Sequence, residues 1–350
     1  MLVSAVLAAL LVLAGCAKDV DDAAGAASSG SSATTGPQVA PSGGAILVLP
    51  PADVLSGPAR AELRALVEST VAGSEDGAGG WELLEPATAA SLADTVEIAM
   101  RRTGGDGTVC VVGTRGRAVL GPSFARYPAT RACVVPGPVP AGVAEERVAV
   151  GDVDLSRLGR ELGVVARAAA ADGAVLLLDG GDGMLDVRWR RGVEEGVLGA
   201  AGGSGPTLGV VTTAAEAVAL LDAQAALIAE GIVPGGQVTA EPGGDGSTIP
   251  DARDGLPPGD LLPTARALLP VAVVVLDAGP ESSTLATVLA ERDIPVILPT
   301  VLLDAGAVGP DQVVLQWRVR WDDALVAALD GRTAAEAPFV LVPGPASARR

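Results

Sequence analysis

The residues with the clearest potential for binding chemistry are three aspartates, each of which follows an apolar run that we predict to be a strand. Asp53 comes after AILVLP, Asp179 after AVLLL and Asp277 after VAVVVL. Carboxylates at such positions can accept hydrogen bonds from sugar hydroxyl groups or bind an amine. Each of them also has an ordinary interpretation as a turn or helix-capping residue. We predict a binding site from the whole set of strand-end residues, which comprises Asp53, Ser56, Thr114, Asp179, Gly180, Asp277, Gly279 and Thr300.

The composition excludes the forms of catalysis that depend on histidine or lysine side chains. The sequence has no histidine, and its only lysine is Lys18. Histidine-based triads, histidine metal ligands, lysine Schiff bases and the lysine of a Walker motif are therefore all absent. Carboxylate pairs can hydrolyse glycosides, but no spaced pair in the sequence points to that reaction. We predict that the protein is not an enzyme and that it needs no cofactor.

One acidic loop contains residues of a type that can bind a metal ion. Asp179, Asp182 and Asp186 alternate with glycines in DGGDGMLD (179–186), and oxygen ligands on a glycine-rich loop can bind Ca²⁺. The spacing does not match the EF-hand loop, and no other acidic segment of the sequence converges on it. We predict no metal site.

Cys16 ends the segment VLAGC, behind an uncharged apolar run at residues 1–13. That run is too short for a hydrocarbon core of about 30 Å. Small residues before a cysteine resemble the bacterial lipobox, in which the preceding peptide bond is cut and the thiol is diacylated. The resemblance implies a signal peptide at 1–15 and a lipid anchor at Cys16. A plain secretory signal, or an anchored helix with an incidental cysteine, is the alternative.

Charge and composition characterise the chain beyond the anchor. Ala, Ser, Gly, Thr and Pro dominate residues 16–44, which predicts a flexible spacer. The 350-residue chain has 24 Lys+Arg against 42 Asp+Glu, and its net charge of -18 argues against nucleic acid as a partner. After residue 15 no apolar stretch is long enough to span a membrane. We predict a globular body tethered to the extracytoplasmic face of the cell membrane.

Apolar runs alternate with helical patterns through this body, which predicts parallel sheets covered by helices on both faces. For the first lobe, residues 45–152, the predicted strands are AILVLP, WELLEP, GTVCVVG, TRACVVPG and RVAVGD. A helix over 58–71 places Leu63, Leu66 and Val67 on one face. The predicted fold class is α/β, with two doubly wound parallel-sheet lobes joined by a hinge.

A helix over 155–171 is predicted to lead into the second lobe, residues 153–311. The predicted strands of this lobe are GAVLLLDGG, TLGVVTT, PVAVVVLDAG and IPVILP. A loop rich in Gly, Pro and Asp occupies residues 234–260. Residues 312–350 contain VVLQWRVRW, a final helix and a tail, which we interpret as a return connection between the lobes.

The order of these elements resembles the basic membrane protein family of substrate-binding lipoproteins. The local motifs that carry the resemblance are Gly180-Gly181 after a strand, the Asp277-Ala278-Gly279 turn, and Trp189, Gly192 and Gly196, which match the family's aromatic-x-x-Gly-x-x-x-Gly helix. The resemblance implies the type I periplasmic-binding fold and nucleoside binding for an ABC importer. The implied partners are a small-molecule ligand, an ABC permease and the membrane lipid around acylated Cys16.

The resemblance also implies roles for individual residues. In the family, the loop after the first strand carries an Asp and an aromatic ring that hold the base. Here Asp53 and Ser56 take the polar part, and no ring is present in that loop. Thr300 follows the strand that in the family ends in an acidic residue contacting ribose. Trp189 is the first candidate for a ring that stacks on a base, and packing in the core is the alternative.

Cys110 and Cys133 occupy matching places in GTVCVVG and TRACVVPG, two strands joined by one short crossover. If these strands are neighbours in a parallel sheet, the two Cα atoms come within disulfide range, and an extracytoplasmic location permits oxidation. We predict a structural disulfide, with two separately buried thiols as the alternative. A catalytic thiolate is not expected, because the body has no histidine or lysine to activate it.

Two functional classes follow from these observations. The first is a membrane-anchored solute-binding lipoprotein that holds a small polar ligand, with a nucleoside as one candidate, between two lobes. The second is an accessory or scaffold lipoprotein of the envelope whose binding-protein fold has lost its ligand site. A ligand-sized cavity between the lobes would favour the first class, and a cleft filled by apolar side chains would favour the second.

Overall fold

The computed structural model describes residues 44–73, 81–104, 107–137, 139–140, 143–171, 173–181, 183–199, 206–230, 270–329 and 339–349. The predicted signal peptide, Cys16, nearly all of the spacer, Asp182 and the 234–260 loop lie outside these ranges. Pro41–Arg350 form one compact unit that contains every described helix and strand, so we expect this part of the chain to fold by itself. No helix within these ranges is long and apolar enough to cross a bilayer.

The first sheet has five parallel strands in the order β2-β1-β3-β4-β5. They are β1 (Ala45–Val48), β2 (Glu82–Leu84), β3 (Thr108–Val112), β4 (Arg131–Val135) and β5 (Val148–Val150). The connecting helices are α1 (Gly57–Gly73), α2 (Leu92–Arg102) and α3 (Thr114–Arg126), with 3₁₀ turns at Ala89–Ser91 and Glu145–Arg147. Because β1 lies between β2 and β3, the strand order reverses between β1 and β3, and the two connections leave to opposite faces.

The second sheet has six strands in the order β11-β10-β9-β8-β6-β7. They are β6 (Ala174–Leu178), β7 (Leu208–Val211), β8 (Val271–Val275), β9 (Val296–Pro299), β10 (Val313–Val319) and β11 (Phe339–Pro343). Its helices are α4 (Leu155–Ala170), α5 (Val187–Leu198), α6 (Ala214–Ala229), α7 (Pro280–Arg292) and α8 (Thr300–Asp304). All its strand pairs are parallel except β10 with β11.

The last described α-helix, α9 (Trp321–Leu329), belongs to the first lobe, where it packs against α1, β4 and β5. The chain therefore passes between the lobes after β5, again between β10 and α9, and a third time between α9 and β11. The first two passages form the hinge within the described residues, and residues 330–338 of the third lie outside them.

The predicted α/β fold class is confirmed, and the described strands coincide with the predicted runs through β10. Two elements differ from the prediction. The crossover before Cys133 is a 13-residue helix, α3, and the tail contains β11, which pairs antiparallel with β10. Residues 312–350 thus supply two strands of the second sheet as well as a helix of the first lobe.

The apolar core is continuous between the lobes. One hydrophobic cluster covers the α2 and α3 face of the first sheet, and another covers the α6 and α7 face of the second. A third and larger cluster runs from α1 and α9 to α4 and α5, through Val54, Leu55, Met184 and Leu185. Burial of these four side chains between the lobes stabilises their association.

Cys110 and Cys133 form a disulfide, which confirms the prediction. They lie opposite each other in the parallel pairing of β3 with β4, with their Cα atoms 4.4 Å apart. Both residues are buried, so the bond crosslinks the centre of the first sheet.

Glycines bring α4 and α5 into backbone contact. A Cβ atom added at Gly163 would lie 2.8 Å from the Cα atom of Gly196, and one at Gly192 would lie 2.3 Å from the carbonyl oxygen of Ser156. Larger residues would force the two helices apart. The spacing of Gly192 and Gly196 after Trp189 therefore has a structural role, since it lets α5 lie directly against α4.

Candidate functional site

The carboxyl ends of the central strands face each other across the two lobes. In the first sheet the order reverses between β1 and β3, and in the second it reverses between β6 and β8. Ligands of open α/β sheets bind at such points, where the connections diverge. Every residue of the predicted site except Trp189 and Thr300 lies on the loops or helix starts that come after these four strands.

The chain's own backbone joins the lobes at this point. The Ser56 amide donates to the carbonyl oxygen of Ala278 at 3.1 Å, and the Thr114 amide donates to that of Gly183 at 2.7 Å. The Gly183 amide in turn donates to the carbonyl oxygen of Val54 at 3.2 Å. These bonds use the backbone groups that would otherwise face a ligand.

Apolar side chains fill the space around these bonds. Val54 and Leu55 from the first lobe and Met184 and Leu185 from the second are all buried. We call this region the strand-end junction, and define it by Val54, Leu55, Ser56, Gly113, Thr114, Gly183, Met184, Leu185 and Ala278. A cleft filled by apolar side chains is the arrangement expected of a binding-protein fold that has lost its ligand site.

Gly113 shows how closely the lobes approach in the strand-end junction. Its φ is +102°, a conformation that favours glycine, and an added Cβ atom would lie 2.9 Å from the carbonyl oxygen of Gly183. Only glycine meets both conditions without displacing the facing lobe.

Three of the predicted polar residues act as structural partners. The exposed Asp53 carboxylate accepts the amide hydrogen of Ala89 at 2.9 Å, where a 3₁₀ turn begins. The Ser56 hydroxyl accepts the Ala59 amide at 3.3 Å in the first turn of α1. Asp179 forms an ion pair of 3.2 Å with Arg190. The capping interpretation given for the aspartates thus describes Asp53 as the structure places it, and Ser56 makes a contact of the same kind.

Asp277 is the most deeply buried carboxylate of the predicted set, with an exposed fraction of 1%. It accepts hydrogen bonds from the amides of Gly180 and Gly279, each at 2.9 Å, and from the hydroxyl of Ser282 at 2.5 Å. Burial raises the pKa of the Asp277 carboxyl group, the three hydrogen bonds oppose that rise, and the charge of Asp179 adds to it. Asp277 therefore holds the loop after β6 to the start of α7.

Trp189 lies in the core, with 1% of its surface exposed, and its ring centroid is 6.4 Å from that of Trp317. The core-packing alternative describes this position. The Nε1 atoms of both rings are buried without a hydrogen-bond partner. A stacking role for Trp189 would require a ligand to reach the core between α4 and α5.

An ion pair fixes the first hinge passage to the second lobe. Arg188 of α5 donates two hydrogen bonds of 2.9 Å to Asp152, which follows β5. It also pairs with Asp186, whose carboxylate caps α5 by accepting the Arg188 amide at 2.8 Å. The bond to Asp152 raises the pKa of Arg188, so the guanidinium stays charged. Among the described residues, no group of three or more His, Cys, Asp or Glu is arranged to hold a metal ion.

A cavity of about 660 Å³ lies between the lobes, beside the passage from β10 to α9. Its wall in the first lobe is α1, and its wall in the second is formed by the end of β9, the start of α8 and the antiparallel β10–β11 pair. We call it the hinge cavity. Its lining includes Leu55, Ala59, Glu62, Leu63, Ala65, Leu66, Ser69, Met184, Leu185, Ala278, Pro299, Thr300, Val301, Gln316, Trp317, Arg318, Val319, Arg320, Trp321, Asp322, Val340 and Val342.

The register of the antiparallel β10–β11 pair determines which side chains form one wall of the hinge cavity. Gln316 lies opposite Val342 and Arg318 opposite Val340, so these four side chains share one face of the β10–β11 pair. The alternate residues, Trp317 and Leu341 among them, point to the core side. The sheet face therefore meets α1 with two valines and two polar side chains.

Charged residues of the hinge cavity are paired with each other. Glu62 of α1 and Arg318 of β10 form an ion pair of 2.5 Å that links the two lobes. Arg320 pairs with Asp322 at 3.2 Å on the passage to α9. Thr300 donates a long hydrogen bond of 3.4 Å to the carbonyl oxygen of Trp317.

Of the predicted site residues, only Thr300 lines the hinge cavity, together with Ala278 of the predicted turn. Sequence reasoning missed the other lining residues. Two features of the sequence could have indicated them. One is the apolar face of α1, and the other is the apolar run FVLVP before Gly344, which has the composition of a strand.

No family model matches the sequence, and no curated protein matches it either. Solved structures do match. A solute-binding protein of an ABC transporter system from Aeropyrum pernix K1 is 14% identical with a TM-score of 0.54, over 85% of this chain and 76% of that one. The Caulobacter myo-inositol binding protein, solved with myo-inositol, is 15% identical with a TM-score of 0.54, over 86% and 94% of the two chains.

A third match is an ABC transporter solute-binding protein from Agrobacterium vitis with bound D-fucose, at 11% identity and a TM-score of 0.54, over 85% of this chain and 94% of that one. At these identities the matches establish the fold alone. This chain has the two-lobed fold of ABC transporter solute-binding proteins.

Proposed function

We propose that this protein is a solute-binding protein that holds a small molecule between its two lobes and presents it to an ABC permease. The observation that carries the proposal is the hinge cavity, whose walls come from both lobes and from a passage between them. Its volume of about 660 Å³ falls in the range of ordinary small-molecule sites, roughly 300–1,000 Å³.

The position of the hinge cavity gives a physical route from binding to signalling. A molecule in it would contact α1 in one lobe, the antiparallel β10–β11 pair in the other, and the chain between β10 and α9. Such a ligand stabilises one relative orientation of the lobes, because its contacts exist only when both walls are in place. A permease that recognises this orientation would distinguish loaded from empty protein.

The proposal includes an extracytoplasmic location and a lipid anchor at Cys16. It is supported by the apolar run and small residues before Cys16 and by the buried Cys110–Cys133 disulfide, which suits an oxidising compartment. Membership of the basic membrane protein family, and a nucleoside as the ligand, remain predictions from the sequence.

A second candidate function is a scaffold or accessory protein of the envelope. The strand-end junction favours it, because backbone hydrogen bonds and four buried apolar side chains occupy the place where the lobes of an α/β binding protein hold a ligand. If this function is correct, the hinge cavity is a gap that holds no ligand, and the lobes do not move relative to each other.

A thermal-shift screen of residues 41–350 separates the two functions. Nucleosides, sugars, amino acids and amphipathic molecules are tested, with tryptophan fluorescence as a second readout. A ligand at 100 times its Kd adds about 2.7 kcal/mol of apparent stability, which moves the midpoint by a few degrees. A hit from any class supports solute binding. A well-folded protein that no class stabilises supports the scaffold.

A further inference from the structure

We propose that the hinge cavity selects a molecule with an apolar body and a single polar end, and that it rejects polyols. This inference rests on the proposed function and names the class of its solute. It follows from where the apolar and polar groups of the lining lie, not from the ligands of structurally similar proteins.

The lining of the hinge cavity is mostly apolar. On α1, Ala59, Leu63 and Leu66 recur at helical spacing along one face, and Val340 and Val342 face them from β11. Trp321, at the start of α9, lies at the side next to the hinge. A sugar bound here would place most of its hydroxyl groups against carbon, where they lose water and find no partner.

The charged side chains that line the hinge cavity are all partly exposed to solvent, as are Val340 and Val342 of β11, at 44% each. The paired side chains of Glu62 and Arg318 are 39% and 59% exposed, so this ion pair lies at the mouth. Gln316 lies beside Arg318 on the same sheet face, two residues along β10. A ligand can therefore bury its apolar part between α1 and the β10–β11 strand pair while its polar end stays near Glu62, Gln316 and Arg318.

The dimensions favour a small molecule over a protein segment. The cavity is a half-open groove bounded by both lobes, and its volume is that of an ordinary small-molecule site. Because both walls are needed, the same contacts that bind the apolar body also tie the two lobes together.

The test uses residues 41–350 and the uncharged fluorescent probe N-phenyl-1-naphthylamine. We expect saturable fluorescence enhancement with one probe per chain, displacement by decanoate or decanol, and no displacement by glucose, myo-inositol or adenosine. Ala59→Phe fills the cavity and Leu66→Gln makes its wall polar, and each is expected to weaken probe binding at least tenfold.

Ala61→Phe is the matched control, because Ala61 is exposed on the same helix and does not line the cavity. It should leave the affinity for the probe unchanged. The thermal midpoint of every variant is measured, and Leu66→Gln keeps the test decisive if Ala59→Phe does not fold.

The outcomes separate this inference from the proposed function. If a sugar or nucleoside raises the midpoint and Ala59→Phe removes the effect, while the naphthylamine does not bind, then solute binding stands and the apolar class is wrong. If the probe binds at many sites and both cavity variants leave its binding unchanged, the apolar class is wrong as well. If neither the probe nor any solute binds to folded protein, both proposals fail.

Discussion

The strand-end junction and the hinge cavity lie side by side between the lobes, and Leu55, Met184, Leu185 and Ala278 border both of them, yet the first is filled and the second is open. In the strand-end junction the two backbones bond to each other, and Val54, Leu55, Met184 and Leu185 exclude water. In the hinge cavity, a space of about 660 Å³ separates α1 from the antiparallel β10–β11 pair. The comparison teaches that a fold determines where the lobes meet, while individual side chains decide which part of the interface can hold a ligand.

Removing the disulfide should cost more unfolding free energy than the other substitutions below, and it should leave ligand binding in the hinge cavity unchanged. Replacing both Cys110 and Cys133 by alanine removes a crosslink between residues 23 apart in sequence, which should cost about 3 kcal/mol of unfolding free energy. Urea unfolding measures the loss. Neither strand lines the hinge cavity, so probe affinity in the folded variant should stay unchanged; a parallel loss of affinity would show that the two regions are coupled.

Gly113→Ala tests the close approach in the strand-end junction. The positive φ and the 2.9 Å contact with the Gly183 carbonyl oxygen should together cost about 2 kcal/mol of unfolding free energy. Gly57→Ala is the control, because an added Cβ atom there meets nothing within 4 Å. Equal effects of the two substitutions on the thermal midpoint would mean that the lobes are not held together at Gly113.

Asp277 gives the strand-end junction a pH dependence. Its pKa is raised in the folded state, so its contribution to stability is full below the unfolded pKa of about 3.9 and is lost as the pH rises through the raised value. Asp277→Asn, which cannot accept all three hydrogen bonds, should cost about 1–2 kcal/mol at low pH.

The difference between wild type and Asp277→Asn should therefore narrow as the pH rises. Thermal midpoints of both proteins across the pH range measure it. A difference that widens with pH would indicate a carboxylate whose pKa is lowered, and would contradict the burial argument.

Glu62→Gln is expected to have the smallest effect. The Glu62–Arg318 pair is exposed at the mouth of the hinge cavity, so its loss should change the unfolding free energy by at most about 0.5 kcal/mol. Glu68→Gln, which removes an exposed pair with Arg64 on the same helix, is the matched control. A much larger loss for Glu62→Gln in thermal unfolding would mean that this pair holds the lobes together.

Local pattern was sufficient for most of the fold. Runs of Val, Leu and Ile predicted the parallel strands, and matching positions in two such runs predicted the Cys110–Cys133 bond. The pairing of β11 was not predictable from local pattern, because it depends on the chain returning from α9 to the second sheet. The helix α3 contains Pro122 and two glycines and has weak helical periodicity, so the sequence predicted only a short crossover there.

The site was less predictable than the fold. An aspartate after a strand can bind a ligand or cap a turn, and only the tertiary position of Ala89 shows that Asp53 does the latter. Leu66 and Val342 are ordinary apolar residues in the sequence. They line a cavity only because α1 and the β10–β11 strand pair, which are far apart in the chain, face each other across an open space.

The most direct test of the central claim, that the binding space is the hinge cavity and not the strand-end junction, is calorimetric titration of the best solute from the screen. Wild type, Ala59→Phe in the hinge cavity and Asp179→Asn beside the strand-end junction are compared. We predict that Ala59→Phe abolishes the binding heat while Asp179→Asn keeps the wild-type affinity. Loss of binding in Asp179→Asn, with normal binding by Ala59→Phe, would contradict the account and return the site to the strand ends.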